Sequence, residues 1–237
     1  MLDIKNLTKI YGDKKAVDNL SLHIAPGEIC GFIGHNGAGK TTTLKSVAGI
    51  LRFDEGEITI GGNSVKDKPL ECKKQIAYIP DNPDIYEFMT GIQYLNFIAD
   101  IFEINDEHRR ERIEKYAQTF ELTDDLTAPI ASYSHGMKQK LVIISAWLHE
   151  PALIIMDEPF VGLDPKAAYR LKEMMREACD RGCAIFFSTH VLEVAEKLCD
   201  KVAVIKGGRL IRSGSMEEVK GDESLETVFL ELEGESC

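Results

Sequence analysis

Gly31-Phe32-Ile33-Gly34-His35-Asn36-Gly37-Ala38-Gly39-Lys40-Thr41-Thr42-Thr43 is the stretch from which the rest of the chain can be read. Residues 34–41 fit the pattern G-x-x-x-x-G-K-[ST], a loop that holds nucleotide phosphates. Gly34, Gly37 and Gly39 let the backbone turn its N–H groups inward around phosphate oxygens. Lys40 can reach the β- and γ-phosphates, and the Thr41 hydroxyl can sit on Mg²⁺. The apolar run Ile29-Cys30-Gly31-Phe32-Ile33 enters the loop as a buried strand would. Leu44, Val47, Ala48 and Leu51 then recur at helical spacing. A helix starting here adds its N-terminal dipole to the anion site.

At 237 residues the chain can build a full core, as one large domain or a domain carrying an insertion. It is 44% hydrophobic and 28% charged, ordinary for a globular protein. The net charge of −11, with 28 basic against 39 acidic residues and no basic block, argues against a nucleic-acid partner. Cys30, Cys72, Cys179, Cys183, Cys199 and Cys237 are scattered without C-x-x-C. That pattern predicts free, packed thiols in a reducing cytosol. Asp3 and Lys5 interrupt the N-terminus early, against a signal peptide, and no apolar run approaches the ~20 residues that span a bilayer. A membrane role would therefore require a partner.

Residues 1–33 alternate in the β manner, through Leu2 and Ile4, then Leu20, Leu22 and Ile24. A turn is expected near Tyr11-Gly12-Asp13-Lys14, where the Tyr11 ring either stacks on a flat base or is an ordinary half-exposed strand end. Residues 57–60 and 76–79 read as strands, and residues 90–121 as largely helical, with Arg109, Arg110 and Arg112 on a solvated face. A further helix is expected from Ser134 through Leu141, Ile144 and Leu148, ending at Pro151. This helical block interrupts an otherwise α/β pattern. Leu153-Ile154-Ile155-Met156 reads as a buried parallel strand delivering Asp157-Glu158 at its carboxyl end, where open α/β sheets bind ligands. A helix at 165–181, a strand at 184–187 ending in Ser188-Thr189-His190, a helix at 191–199 and a strand at 202–205 follow. Residues 206–209 make a hairpin turn, and an acidic tail closes the chain.

A phosphate loop needs a second carboxylate strand to organise Mg²⁺, and Asp157 fits that role. Glu158 beside it can take or polarise a proton of an attacking water. His190, at the end of the next strand, can hydrogen-bond a γ-phosphate, although a single histidine is as readily a surface residue.

Together these residues resemble the ATP-binding subunit of ABC transporters, over essentially the whole chain and in the family's order. Tyr11 is similar to its adenine-stacking aromatic, and residues 34–42 (Gly34, His35, Asn36, Gly37, Ala38, Gly39, Lys40, Thr41, Thr42) to its phosphate loop. Tyr133-Ser134-His135-Gly136-Met137 stands where the family has Leu-Ser-Gly-Gly-Gln. Leu153 to Glu158 resembles the magnesium strand with its catalytic glutamate, Gly162-Leu163-Asp164 the dimer loop, and His190 the switch histidine. The Asn-Lys-x-Asp guanine motif of GTPases is absent. The resemblance implies a P-loop NTPase core (about 1–80 and 152–237) with a mostly parallel sheet and an N-terminal antiparallel β subdomain. An α-helical subdomain is inserted at 81–151. It further implies ATP and Mg²⁺ as ligands, with each ATP held between one chain's phosphate loop and Ser134, His135 and Gly136 of a second subunit. Separate integral membrane subunits, and a place at the inner face of the cell membrane, are implied as well.

Two departures stand out. Where the family has Gln after the strand leading to the helical block, this chain has Asp81, which keeps an oxygen for Mg²⁺ or its water but is shorter and charged. In the signature, His135 replaces the first Gly and Met137 the Gln, either as a harmless outward side chain or as a working one. The run 134–140 is similar to the variant in bacterial exporter-type ATPases with separate membrane subunits. Ile85-Tyr86-Glu87-Phe88-Met89 lies where the family docks its membrane partner. Those side chains suit either a partner helix or the block's own core. The expectation is an ATPase driving transport, with a soluble ABC ATPase of a non-transport system, such as cluster assembly, as the alternative.

Overall fold

The computed structural model describes residues 1–234; Cys237 lies outside them. β1 (Leu2–Tyr11) and β2 (Lys14–Ile24) form a hairpin, turned at Gly12-Asp13 as expected. β4 (Glu55–Ile60) and the short β5 (Asn63–Ser64) extend it into an antiparallel sheet of order β2-β1-β4-β5. The second sheet takes β3 (Ile29–Ile33), β6 (Ile76–Ile79), β7 (Leu153–Asp157), β8 (Ala184–Thr189), β9 (Lys201–Lys206) and β10 (Arg209–Ser215) in the order β10-β9-β3-β8-β7-β6. All its neighbours are parallel except the β9–β10 hairpin.

Every residue of β3, β7 and β8 is buried, as a sheet covered on both faces requires. Because side chains alternate along a strand, each strand feeds two cores. Ile29, Ile33, Ile154, Met156, Ile185 and Phe187 enter one, and Cys30, Phe32, Leu153, Ile155, Ala184 and Phe186 the other. The first core lies under the helices of the interrupting block and α6 (Pro165–Asp180). The second lies between the parallel sheet, α1 (Lys40–Val47) and the antiparallel sheet. There Phe32 and Phe186 meet with ring centroids 5.2 Å apart, each contributing roughly 2–3 kcal/mol by burial.

Between β4 and β6 a short α2 (Pro69–Lys74) appears that apolar periodicity alone does not announce. The block between β6 and β7 contains α3 (Gly91–Ile101), α4 (Asp106–Thr119) and α5 (His135–Trp147). The stretch 90–121 is largely helical as expected, divided at 102–105, where Glu103 takes φ +54° and the Asn105 side chain caps α4 by accepting from His108 N. The arginine face is not simply solvated. Arg109 pairs with Asp100 at 2.5 Å, while Arg112 donates to Leu148 O at 2.6 Å and pairs with Glu150 at 2.5 Å. α4 is thereby fastened to its neighbours through long side chains whose stems lie on apolar surface.

α7 (Leu192–Leu198) lies between β8 and β9. After β10 the acidic tail forms α8 (Met216–Lys220) and α9 (Leu225–Glu233). Ser215 and Glu218 form a capping box, and Val219, Leu225 and Val228 are buried in the first core. The five described cysteines are free and buried. Burial pushes the Cys179 thiol up to about 12 and Cys183 to about 11, so both pack as small apolar groups.

Candidate functional site

The strand order brings four chain segments to one edge. β3 runs into the glycine loop and α1, β7 ends in Asp157, β8 in Thr189, and β6 leads to Asp81. Register fixes them side by side, with Ile33 opposite Thr189, Asp157 opposite Ser188, and Ile79 opposite Met156. The resulting cleft, about 340 Å³, is lined by Tyr11, Lys14, Ala16, His35, Asn36, Gly37, Gly39, Lys40, Thr41, Thr42, Asp81, Asp157 and Glu158.

The loop is held from outside. Gly208 N donates to Ala38 O at 2.9 Å, and Ala38 N to His35 O at 3.2 Å. Gly39 has φ +113°, and a Cβ there would stand 2.5 Å from Ala16 O, so only glycine fits. Gly39 is also the N-cap of α1 and gives it no side-chain hydrogen bond, leaving the first-turn amides without an intramolecular side-chain partner. Lys40 is almost fully buried. Its Nζ donates to Gly34 O at 2.5 Å and His35 O at 3.4 Å and lies 3.7 Å from Glu158 Oε1. That places one ammonium between the loop and the carboxylate that follows β7.

Ser188 ties the Asp157 carboxylate to the backbone of Glu158. Its hydroxyl donates to Asp157 Oδ1 at 2.5 Å and accepts from Glu158 N at 3.0 Å. Glu158 has φ +48°, uncommon for a residue with a side chain. His190 Nδ1 lies 2.9 Å from Glu158 Oε2, and His190 N donates to the same oxygen at 3.3 Å. The Asp81 carboxyl has its pKa raised, first by burial and then by Asp157 and Glu158, with His135 and His190 opposing. Half-exposed Tyr11 has the Lys9 ammonium 5.2 Å from its ring centroid, which leaves a flat surface at the cleft's rim.

Ser134, His135 and Gly136 do not line this cleft. Ser134 and His135 are exposed, and Ser134 Oγ caps α5 by accepting from Met137 N at 3.2 Å. Asp164 caps α6 by accepting from Ala167 N at 2.8 Å and pairs with Lys140 at 2.7 Å, which lowers its carboxyl pKa. In the 85–89 stretch the two readings divide by residue. Ile85 and Met89 pack on the core, whereas Phe88 is 81% exposed and Tyr86 49%. The Tyr86 ring meets Phe88 at 5.7 Å and Phe97 at 5.7 Å. Sequence reasoning missed Lys14, Ala16 and Ser188 around the cleft; the serine had a visible signal in its place at the end of an apolar strand beside Thr189 and His190.

Thr41, Asp157 and Asp81 offer hard oxygen donors to one cleft. Among the described residues no three His, Cys, Asp or Glu side chains cluster into a cage for a metal. A donor set of this kind fits Mg²⁺, which keeps waters and takes phosphate oxygens rather than a full protein shell.

A glycine loop between a buried parallel strand and a helix, faced by carboxylates from the neighbouring strand, defines a P-loop nucleotide-binding protein. Comparison with known proteins narrows the class. The family model described as ABC transporter matches residues 17–161. The ABC-type transporter ATP-binding protein EcsA of Bacillus subtilis (strain 168) is 35% identical over 242 residues, covering 100% of this chain and 98% of EcsA. A solved structure described as an ATP binding subunit of an ABC transporter superposes with TM-score 0.95 at 34% identity, covering 98% of this chain and 99% of the other. The dimeric ATP-binding cassette MJ0796 bound to ADP and Pi shares the fold, with TM-score 0.83 at 23% identity over 91% of this chain and 99% of that one. The chain belongs to the ABC transporter family, as an ATP-binding subunit and ABC ATPase.

Proposed function

We propose that this chain hydrolyses ATP to drive transport, in the export direction, through separate membrane subunits. The observation that carries the reading is the convergence of Lys40, Asp157, Glu158 and His190 on one cleft beside the glycine loop. The α1 amides and Lys40 bind the phosphates, and the Tyr11 ring takes the base. Glu158 accepts a proton from the attacking water, and His190 holds the Glu158 carboxylate in place. Thr41 and Asp157 hold Mg²⁺, with Asp81 as a further oxygen; when bound it neutralises phosphate charge. Ser134, His135 and Gly136 act on the nucleotide of a second subunit, which their absence from their own cleft supports. Asp164 lies in the loop that meets that subunit.

Residues 81–151 are the helical subdomain and, with Tyr86 and Phe88 exposed on it, the place where the membrane subunit docks. Among the described residues no helix is long and apolar enough to cross a membrane, which supports a peripheral position on the cytoplasmic face. The export direction rests on the signature variant at 134–140. A tagged Glu158→Gln chain should form an ATP-dependent dimer and, from membranes, recover a multi-span protein. Charged substitutions at Tyr86 and Phe88 should abolish that recovery without affecting ATP binding. Recovery of soluble partners alone would decide against transport.

A further inference from the structure

We infer that His135 also acts within its own chain, as a positioning residue whose imidazole braces the loop that carries Glu158. The consequence for hydrolysis rests on the reading of Glu158 as the proton acceptor. Four residues of α5 lie along residues 158–164, and their spacing puts them on one helix face. The His135 ring sits directly on Gly162, because a Cβ on that glycine would stand 2.6 Å from His135 Cδ2 and 3.0 Å from Nε2. Gly136 is the next contact, since a Cβ there would meet Gly162 O at 2.7 Å. Gln139 Nε2 donates to Pro159 O at 3.5 Å, and Lys140 pairs with Asp164 at 2.7 Å. Within the loop, Val161 N donates to Glu158 O at 3.1 Å and Leu163 N to Phe160 O at 3.3 Å.

This loop begins at Glu158 with φ +48° and passes through Gly162 at φ +79°. A disfavoured backbone at a residue with a side chain persists only where its surroundings over-determine it. The imidazole supplies one of those constraints. Glycine at position 135 would leave Gly162 uncovered on this side, so the replacement noted in the signature has a mechanical effect inside the chain.

A brace and a contact to a partner's phosphate demand different chemistry. The brace needs a flat ring on Gly162, whereas a phosphate contact needs a ring N–H. His135→Phe keeps the first and loses the second, and His135→Gly loses both. In the full chain, His135→Gly should speed amide exchange over residues 158–164 about tenfold. It should also lower kcat about tenfold with KM for ATP nearly unchanged, because a misplaced base costs turnover rather than binding. His135→Phe should restore the slow exchange, because a flat ring again covers Gly162. Unchanged exchange in His135→Gly, or exchange in His135→Phe as fast as in the glycine variant, would overturn the inference. Wild-type turnover by Glu158→Gln would instead defeat the assigned role of Glu158, and the exchange measurement would still decide whether the ring holds the loop.

Discussion

The two helices that begin beside functional stretches begin differently. At α1, Gly39 stands in the left-handed region and offers no side-chain cap, whereas α5 is closed by Ser134, whose hydroxyl takes the Met137 amide. Both N-termini carry a partial positive charge. Only α1 presents its amides with no side chain competing for them, and only α1 opens into a cleft lined by Lys40 and three carboxylates. With the function proposed, a single chain suffices to bind an anion at α1. At α5 an incoming phosphate meets a serine hydroxyl already engaged in capping, so that end is suited to a second-comer. One chain would hold ATP, and two would be needed to hydrolyse it efficiently.

The comparison breaks most severely at Gly39. Gly39→Ala forces a Cβ to within 2.5 Å of Ala16 O at a φ of +113°, a strain of about 2–3 kcal/mol or more. If the loop opens to relieve it, ATP affinity measured by calorimetry should fall about 30- to 100-fold. Wild-type affinity in this variant would mean that the loop's shape is not what binds phosphate.

A smaller effect is expected at the other helix. Ser134→Ala removes a cap worth about 1 kcal/mol, which for a chain of this size lowers Tm by about 2–4 °C. ATP affinity of the isolated chain should not change, while ATP-dependent dimerisation, followed by light scattering, should weaken. If affinity in the monomer fell as well, α5 would have to be counted as part of the chain's own cleft.

The smallest effect sharpens the contrast from the far end of α5. His149 stacks on Phe102 at 3.6 Å and makes a 3.0 Å hydrogen bond to Ile76 O, and burial lowers its pKa below the usual 6.5. The folded state then binds a proton less readily than the unfolded one. The stabilisation is present above about pH 6.5 and is lost as pH falls through the depressed folded value. Thermal melts from pH 7.5 to 5.5 should show Tm declining, with a shallower decline in His149→Phe. Equal slopes would remove His149 as an anchor of α5.

Much of this was legible in the residues. The glycine loop, the apolar run ahead of Asp157 and the turn before Lys14 each declare themselves locally, because short-range chemistry demands those residue types. The helices of the tail were less legible although Ser215 and Glu218 spell out a capping box, since its apolar positions Val219, Leu225 and Val228 are sparse among acidic residues. The division of the sheet between two cores could not be read, because strands such as 153–157 are apolar on both faces and carry no alternation. Nor could the packing of His135 on Gly162, a contact across 27 positions that exists only once α5 is laid against the end of β7.

Glu158 carries a last consequence, for protein engineering. Its backbone sits at φ +48°, a setting in which glycine is at ease and glutamate is not. A screen that rewarded heat resistance alone would be drawn to Glu158→Gly, gaining about 1 kcal/mol and discarding the carboxylate next to Lys40 and His190. Libraries selected for thermal tolerance should therefore keep position 158 invariant, since with the role proposed for Glu158 fitness of the fold and fitness of the catalyst point in opposite directions.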